Sequence, residues 1–233
     1  MGESRAEAPD PGSEGGLFLA FEGVEGSGKS TQARLLAERL RAAGIEVVLA
    51  REPGSTPLGE GIRRLFLDDS GVAIPPVSEL FLMLAARAAF VEQVVAPALA
   101  AGRVVIADRF ELSTLAYQGA GRGLPLEVIL ESNRVATRGI SPHVTVLLDL
   151  SPDEGARRQA LAAKTPDRLE AEARDFHQRV ARGYRDFAER VEGLVPVDAS
   201  GSIDEVQARV EAVLKARLEP RFPELFRSAG VIS

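Results

Sequence analysis

The chain has 233 residues, 45% of them apolar and 27% charged, a globular balance long enough for one α/β domain with a sizeable core. Its 28 Lys and Arg against 34 Asp and Glu give a net charge of −6, which repels nucleic acid and anionic lipid unless basic residues cluster, and no run of about 20 uninterrupted apolar residues offers a membrane span. With no cysteine and only His143 and His177, disulfides, thiolate metal sites and cysteine nucleophiles are excluded, and a Ser-His triad is poorly supplied.

Residues 1–15, MGESRAEAPDPGSEG, lack the basic start and apolar stretch of a secretory signal and read as a solvated tail, consistent with a soluble cytoplasmic protein. From Leu17 short apolar runs alternate with stretches of helical period, the pattern of strand and helix units around a parallel sheet. The first run, LFLAF at 17–21, leads into GVEGSGKS at 23–30, which fits G-x-x-x-x-G-K-[ST] completely between a strand and a helix. Glycines there let main-chain N–H groups turn inward around phosphate oxygens, and the helix N-terminus adds partial positive charge. The ATP-phosphate cradle is thus Gly23, Val24, Glu25, Gly26, Ser27, Gly28, Lys29, Ser30 and Thr31. Lys29 reaches the β- and γ-phosphates, and Ser30 holds Mg²⁺.

A helix from Ser30 to Ala43 closes at Gly44, and the second strand, 45–50, ends in Arg51-Glu52-Pro53-Gly54. Arg51 therefore sits on the sheet edge that carries the loop, facing a second phosphate or simply solvent. Helices at 57–67 and 78–100 follow. The second is apolar nearly all round, which predicts burial on most faces, either as a central core helix or at a subunit interface. Its Arg87 is too costly to bury unpaired, so an acid or a ligand must meet it.

The third strand, 103–108, ends at Asp108-Arg109, and the fourth, 144–150, carries Asp149 near its end. Either acid suits a metal at the carboxyl edge of an α/β sheet. Arg109 favours Asp108, because a guanidinium beside it holds a phosphate bidentately. The helix at 111–118 ends on Tyr117 and Gln118, an aromatic to close a sugar and an amide to read a base edge, or else a core tyrosine before a Gly-rich loop. Helices at 125–137, 153–162, 170–191 and 203–217 and a fifth strand at 194–198 complete one domain over 16–217. Residues 157–168 form a basic, poorly periodic segment suited to closing over a bound nucleotide, with Arg157, Arg158, Lys164 and Arg168 as its cations. Residues 218–233 read as a second tail.

Taken together, GVEGSGKS, REPGST, LAARAAF, ADRFELSTLAYQGAGRG and the basic segment ending DRLE resemble thymidylate kinases, from about Leu17 to about Lys215. The resemblance implies the three-layer P-loop nucleoside monophosphate kinase fold, a five-stranded parallel sheet in order 2-3-1-4-5 with helices on both faces. It also implies a homodimer and ATP- and Mg²⁺-dependent phosphorylation of dTMP to dTDP, with no nucleic-acid or membrane partner. Carried over onto this chain, Arg51 and Arg109 bind the acceptor phosphate, Arg87 the thymine edge, and Thr114 and Gln118 the base. Tyr117 packs on the deoxyribose where a 2′-hydroxyl would clash; Glu25, Pro53 and Ser113 complete the substrate set, and Ser30 with Asp108 forms the metal set. Met83 stands where the family often stacks a phenylalanine on thymine. With Glu25 rather than an arginine in the loop, the lid supplies the catalytic cation, Arg158 first and Lys164 second, while Arg157 reaches ATP. Two rivals remain: a deoxynucleoside kinase using Glu52 as base, and an ATP-binding switch without useful turnover.

Overall fold

Alternate residues of the first strand, β1 (Leu17–Glu22), face opposite sides of the sheet, Leu17, Leu19 and Phe21 into one core and Phe18 and Ala20 into another. A strand buried on both faces belongs in the middle of a covered sheet. In the computed structural model, which describes residues 15–67, 73–161, 169 and 172–223, β1 pairs in parallel with β3 (Val104–Asp108) on one side and β4 (Val144–Asp149) on the other. The half-buried strands β2 (Val47–Arg51) and β5 (Leu194–Asp198) close the edges, giving the all-parallel order 2-3-1-4-5 that the resemblance implies. Lys164 and Arg168 lie outside the described residues.

One core is covered by α1 (Lys29–Ala42), through Ala33, Leu36, Ala37 and Leu40, and by α9 (Ile203–Leu218), through Val206, Val210, Leu214 and Leu218. The strict four-residue spacing in α9 is one stripe of a helix. Its start is set by a capping box, Ser202 Oγ accepting from Glu205 N at 3.3 Å while Ser202 N donates to the Glu205 carboxylate at 2.7 Å.

The opposite face meets the apolar segment expected at 78–100. It runs as α3 (Pro76–Phe90), one π-helical turn (Val91–Val95) and α4 (Ala96–Ala100). Phe90, Val91, Val95 and Ala98 pack on Phe18, Ala20, Val105 and Ala107, so its second half is a core helix. This segment is also long and apolar enough, by length and composition, to cross a membrane, and half of its most apolar window is buried inside the fold. Its first half lies against α2 (Pro57–Leu67), with Val77 51% and Phe81 58% exposed.

The helix expected at 111–118 is a short α5 (Glu111–Thr114) that continues as a π-helix (Leu115–Gly121) into the presumed Gly-rich loop. The cause is packing against α8 (Arg174–Asp186): a Cβ at Gly121 would lie 2.7 Å from the Phe176 ring, and one at Gly183 2.6 Å from the Ala120 Cβ. Glycine there lets two helices approach closely rather than forming a flexible turn. The helix expected at 170–191 ends at Asp186, followed by a 3₁₀ turn (Ala188–Arg190). Between them in sequence lie α6 (Leu126–Thr137) and α7 (Pro152–Leu161). The carboxyl ends of β1, β2 and β3 converge on one edge, which places the 23–30 loop, Arg51 and Asp108 together.

Candidate active site

The loop between β1 and α1 turns through Gly26 at φ 74° and Gly28 at φ 95°, left-handed conformations that glycine adopts without Cβ strain. Lys29 folds back to donate from Nζ to the Val24 carbonyl at 2.8 Å and is almost fully buried. Burial, and secondarily the neighbouring Arg109 cation, lower its pKa, partly offset by Glu25, Asp108 and Glu22. Ser30 Oγ donates to Asp108 Oδ2, while Asp108 Oδ1 is buried without a hydrogen-bond partner. Asp149, the alternative acid, is exposed and pairs with Arg185 at 3.2 Å. An orphaned carboxylate oxygen beside a hydroxyl at a phosphate loop is a hard-oxygen donor set that fits Mg²⁺, completed by phosphate oxygens and water. Among the described residues no cluster of three or more acidic or imidazole groups offers a metal cage of its own.

Arg109 occupies a left-handed backbone position, φ 75°, directly after β3. Its guanidinium pairs with Glu25, donates to Ser113 Oγ at 3.0 Å and Tyr184 Oη at 2.8 Å, and stands 5.3 Å over the Tyr117 ring. It is 14% exposed, and that exposed part faces a cavity of about 430 Å³. Beneath it, fully buried Glu22 accepts from the main-chain N–H of Phe110 at 2.8 Å and of Ser113 at 3.0 Å, and from Ser113 Oγ at 2.5 Å. Burial pushes the Glu22 carboxyl above the usual carboxylate range, with the Ser113 hydroxyl and Arg109 opposing. The sequence signal for Glu22 is a carboxylate closing an otherwise apolar strand just before the loop; Tyr184, distant in sequence and spaced like any helix residue, carries none.

The cavity is lined on the loop side by Glu25, Gly26, Gly28, Lys29, Ser30 and Thr31, whereas Gly23, Val24 and Ser27 carry the loop from behind. Opposite lie Arg51 and Pro53. Arg51 is 54% exposed and 3.3 Å from Glu60. The apolar wall includes Met83 from α3, Tyr117, and Phe66 from α2, which sequence reasoning missed although Ile62 and Phe66 share one helix face. Arg63, also missed, lies at this end and donates to the Pro53 carbonyl at 3.2 Å. Gln118 and Ser113 line the cavity as expected.

Arg87 and Thr114 do not reach it. All three Arg87 guanidinium nitrogens are engaged by protein: Glu52 at 2.8 Å, Thr114 at 3.0 Å, Asn133 at 2.6 Å and the Phe110 carbonyl at 2.8 Å. The acid alternative for this buried cation is therefore Glu52, which itself lines the cavity, while Arg87 stands one layer behind the wall. From α7, Arg158 lines the cavity and donates to Glu154 at 3.1 Å and the Ala199 carbonyl at 3.0 Å. Arg157, 63% exposed and paired with Glu154, does not.

One cavity thus joins a phosphate loop with its lysine, a second cationic end built on Arg109, and an apolar wall between α2 and α3, an arrangement that aligns two phosphate-bearing ligands. The thymidylate kinase family model matches residues 21–210. The chain belongs to the thymidylate kinase family. It is 49% identical over 208 residues to the thymidylate kinase of Synechococcus sp. (strain JA-3-3Ab), covering 89% of this chain and 99% of that protein. Against the thymidylate kinase of Symbiobacterium thermophilum it is 43% identical over 215 residues, covering 92% and 98%. The crystal structure of thymidylate kinase from Ehrlichia chaffeensis superposes with a TM-score of 0.69 at 33% identity, covering 86% of this chain and 99% of that one. As a thymidylate kinase, this enzyme is a phosphotransferase that converts dTMP to dTDP at the expense of ATP.

Proposed function

We propose that ATP lies on the phosphate loop and dTMP at the Arg109 end of the cavity, and that the two meet in line without a general base. An anionic oxygen of the dTMP phosphate attacks the γ-phosphorus; that P–O bond forms as the bond to the β–γ bridging oxygen breaks, and its electron pair leaves on ADP. The nucleophile is already deprotonated, so a cavity lined by no histidine is chemically sufficient. The observation that carries this reading is the convergence of Lys29, the Ser30–Asp108 pair and Arg109 on one cavity from separate strand ends.

Lys29 and the loop N–H groups neutralise the donor phosphates, and Arg109 with Arg51 holds the acceptor phosphate. Arg109 is fixed for this by Ser113 and Tyr184, and the incoming phosphate competes with Glu25 for it. Ser30 and Asp108 would hold Mg²⁺, which when bound supplies charge neutralisation on the phosphates. Tyr117 flanks the deoxyribose, Met83 and Phe66 the base, and Arg158 approaches the transferring group from the lid side. With ATP, Mg²⁺ and dTMP, Lys29→Met is expected to lower kcat by at least about a hundredfold with an unchanged circular dichroism spectrum. Undiminished turnover would overturn the assignment, and product from thymidine but not dTMP would favour a nucleoside acceptor with Glu52 as base.

The exposed Leu65, Val77 and Phe81 on the adjacent helices α2 and α3 support a homodimer through this apolar face, which Phe81→Glu is expected to split in sedimentation. A cytoplasmic location follows from the same reading, since its nucleotide substrates are found there.

A further inference from the structure

Gln118 lines the cavity with its two amide atoms in opposite circumstances. Nε2 donates to Glu79 Oε1 at 2.9 Å, while Oε1 is buried and meets no hydrogen-bond donor. An unmet buried acceptor is costly, so it either waits for a ligand donor or is an error of folding that the surroundings should have corrected. The surroundings do the reverse. Glu79 is fully buried on α3 and receives both Nε and Nη2 of Arg122, each at 3.1 Å, so its two oxygens act only as acceptors. Turning the Gln118 amide over would set its carbonyl against that carboxylate, two acceptors face to face. Arg122 is held in turn by Glu172 at 2.7 Å and lies 4.6 Å over the Phe176 ring of α8.

From this geometry we infer that Glu79 is a positioning residue for base specificity, locking Gln118 so that it offers a carbonyl acceptor and selects pyrimidines that carry an N3–H. Thymine and uracil donate at N3; cytosine presents an acceptor there and would meet the Gln118 carbonyl with a second lone pair. The inference rests on the reading that the base lies against Gln118, and it adds the group that decides which way the amide faces. Glu79 does not touch substrate.

The test compares kcat/KM for dTMP, dUMP and 5-methyl-dCMP, the last keeping the methyl group of dTMP while reversing the hydrogen-bonding sense at N3. Glu79→Met preserves volume and leaves Arg122 its Glu172 partner, but frees the amide to rotate. Its ratio of dTMP to 5-methyl-dCMP is expected to fall at least about tenfold, the effect of one hydrogen bond made or opposed, while the ratio of dTMP to dUMP stays unchanged. Gln118→Met, which removes the acceptor itself, should lower the first ratio as well. If Gln118→Met lowers it and Glu79→Met does not, the positioning role is overturned and the place of the base stands. If Gln118→Met leaves it unchanged, the base does not meet Gln118 and both fail. Should Glu79→Met not fold, Glu79→Gln replaces it, since an amide at that position can offer Gln118 a donor as well as an acceptor and no longer fixes its sense; an unchanged ratio there overturns the inference too.

Discussion

Arg157 and Arg158 are neighbours in sequence with the same chemistry, yet only Arg158 lines the cavity, because successive helix residues point about 100° apart. Arg158→Ala is therefore expected to lower kcat at least about tenfold with KM for dTMP little changed, the pattern of a contact made mainly in the transition state, whereas Arg157→Ala leaves both near wild type. Steady-state kinetics on the two variants check this, and equal losses would contradict it. Met83 raises a second question at this scale. It packs with Ile62, Phe66 and Ala86 and contributes a thioether to the apolar wall that Phe66 already furnishes with a ring. Aromatic stacking on a base is worth about 1–3 kcal/mol and methionine supplies part of it. Met83→Phe should lower KM for dTMP about three- to tenfold; a drop in Tm without that gain would show overpacking against Phe66 instead.

Among the elements, α7 touches the phosphate loop directly from far along the chain. A Cβ at Gly155 would lie 2.3 Å from the Glu25 carbonyl, and one at Gly26 2.3 Å from the Gly155 carbonyl, so helix and loop touch backbone to backbone. This contact fixes α7 relative to the phosphate loop, a link invisible in a sequence where Gly155 sits inside an otherwise ordinary helical period. Gly155→Ala is expected to push α7 away, destabilising the fold by about 1–3 kcal/mol and raising KM for ATP more than KM for dTMP. Thermal melting and initial rates with each substrate varied would show it, and an unchanged KM for ATP would refute the link. The π-helical turn at Leu115–Gly121 teaches a related lesson. Gly119 and Gly121 suggest a loop by composition, but the ring of Phe176 and the side chain of Val180 pack where a Cβ at Gly121 would be, and helix packing overrides local preference.

Across the whole molecule, the strand that enters the active site is tied at its start to the C-terminal segment through His143. Its Nδ1 accepts from the Phe18 main-chain N–H at 3.0 Å, and its ring meets Phe222 edge-on at 5.5 Å between centroids. Burial, then the Arg221 cation, depress its pKa below the usual histidine value. The unfolded chain takes up a proton at this residue from about pH 6.5 downward while the folded chain resists it. Stability from His143 is therefore complete above that pH, falls as the pH drops below it, and levels off beneath the folded pKa. Between pH 7.5 and 5.5 the wild-type Tm should fall more than that of His143→Asn, whose side-chain carbonyl can accept from Phe18 without titrating. Parallel pH profiles would exclude the effect. Part of the segment read from sequence as a tail, Phe222, thus packs on the first core.

What the amino-acid order alone determined is local or periodic: the phosphate loop between a strand and a helix, five short apolar strands, the sheet-edge placement of Arg51 and Asp108-Arg109, and, through several motifs in one order, the family. These features depend on neighbours a few residues apart, where backbone geometry and hydrophobic period leave little choice. Tertiary structure alone decided which side chains meet. It brought Ser30 onto Asp108 and left Asp149 with Arg185, drew Arg87 back onto the cavity-lining Glu52, added Phe66, Glu22 and Tyr184 around the cavity, and set Glu79 beneath Gln118. Each of these is a pairing of side chains far apart in the chain. A buried charge must find its partner wherever the fold supplies one, and no spacing along the sequence records that distance.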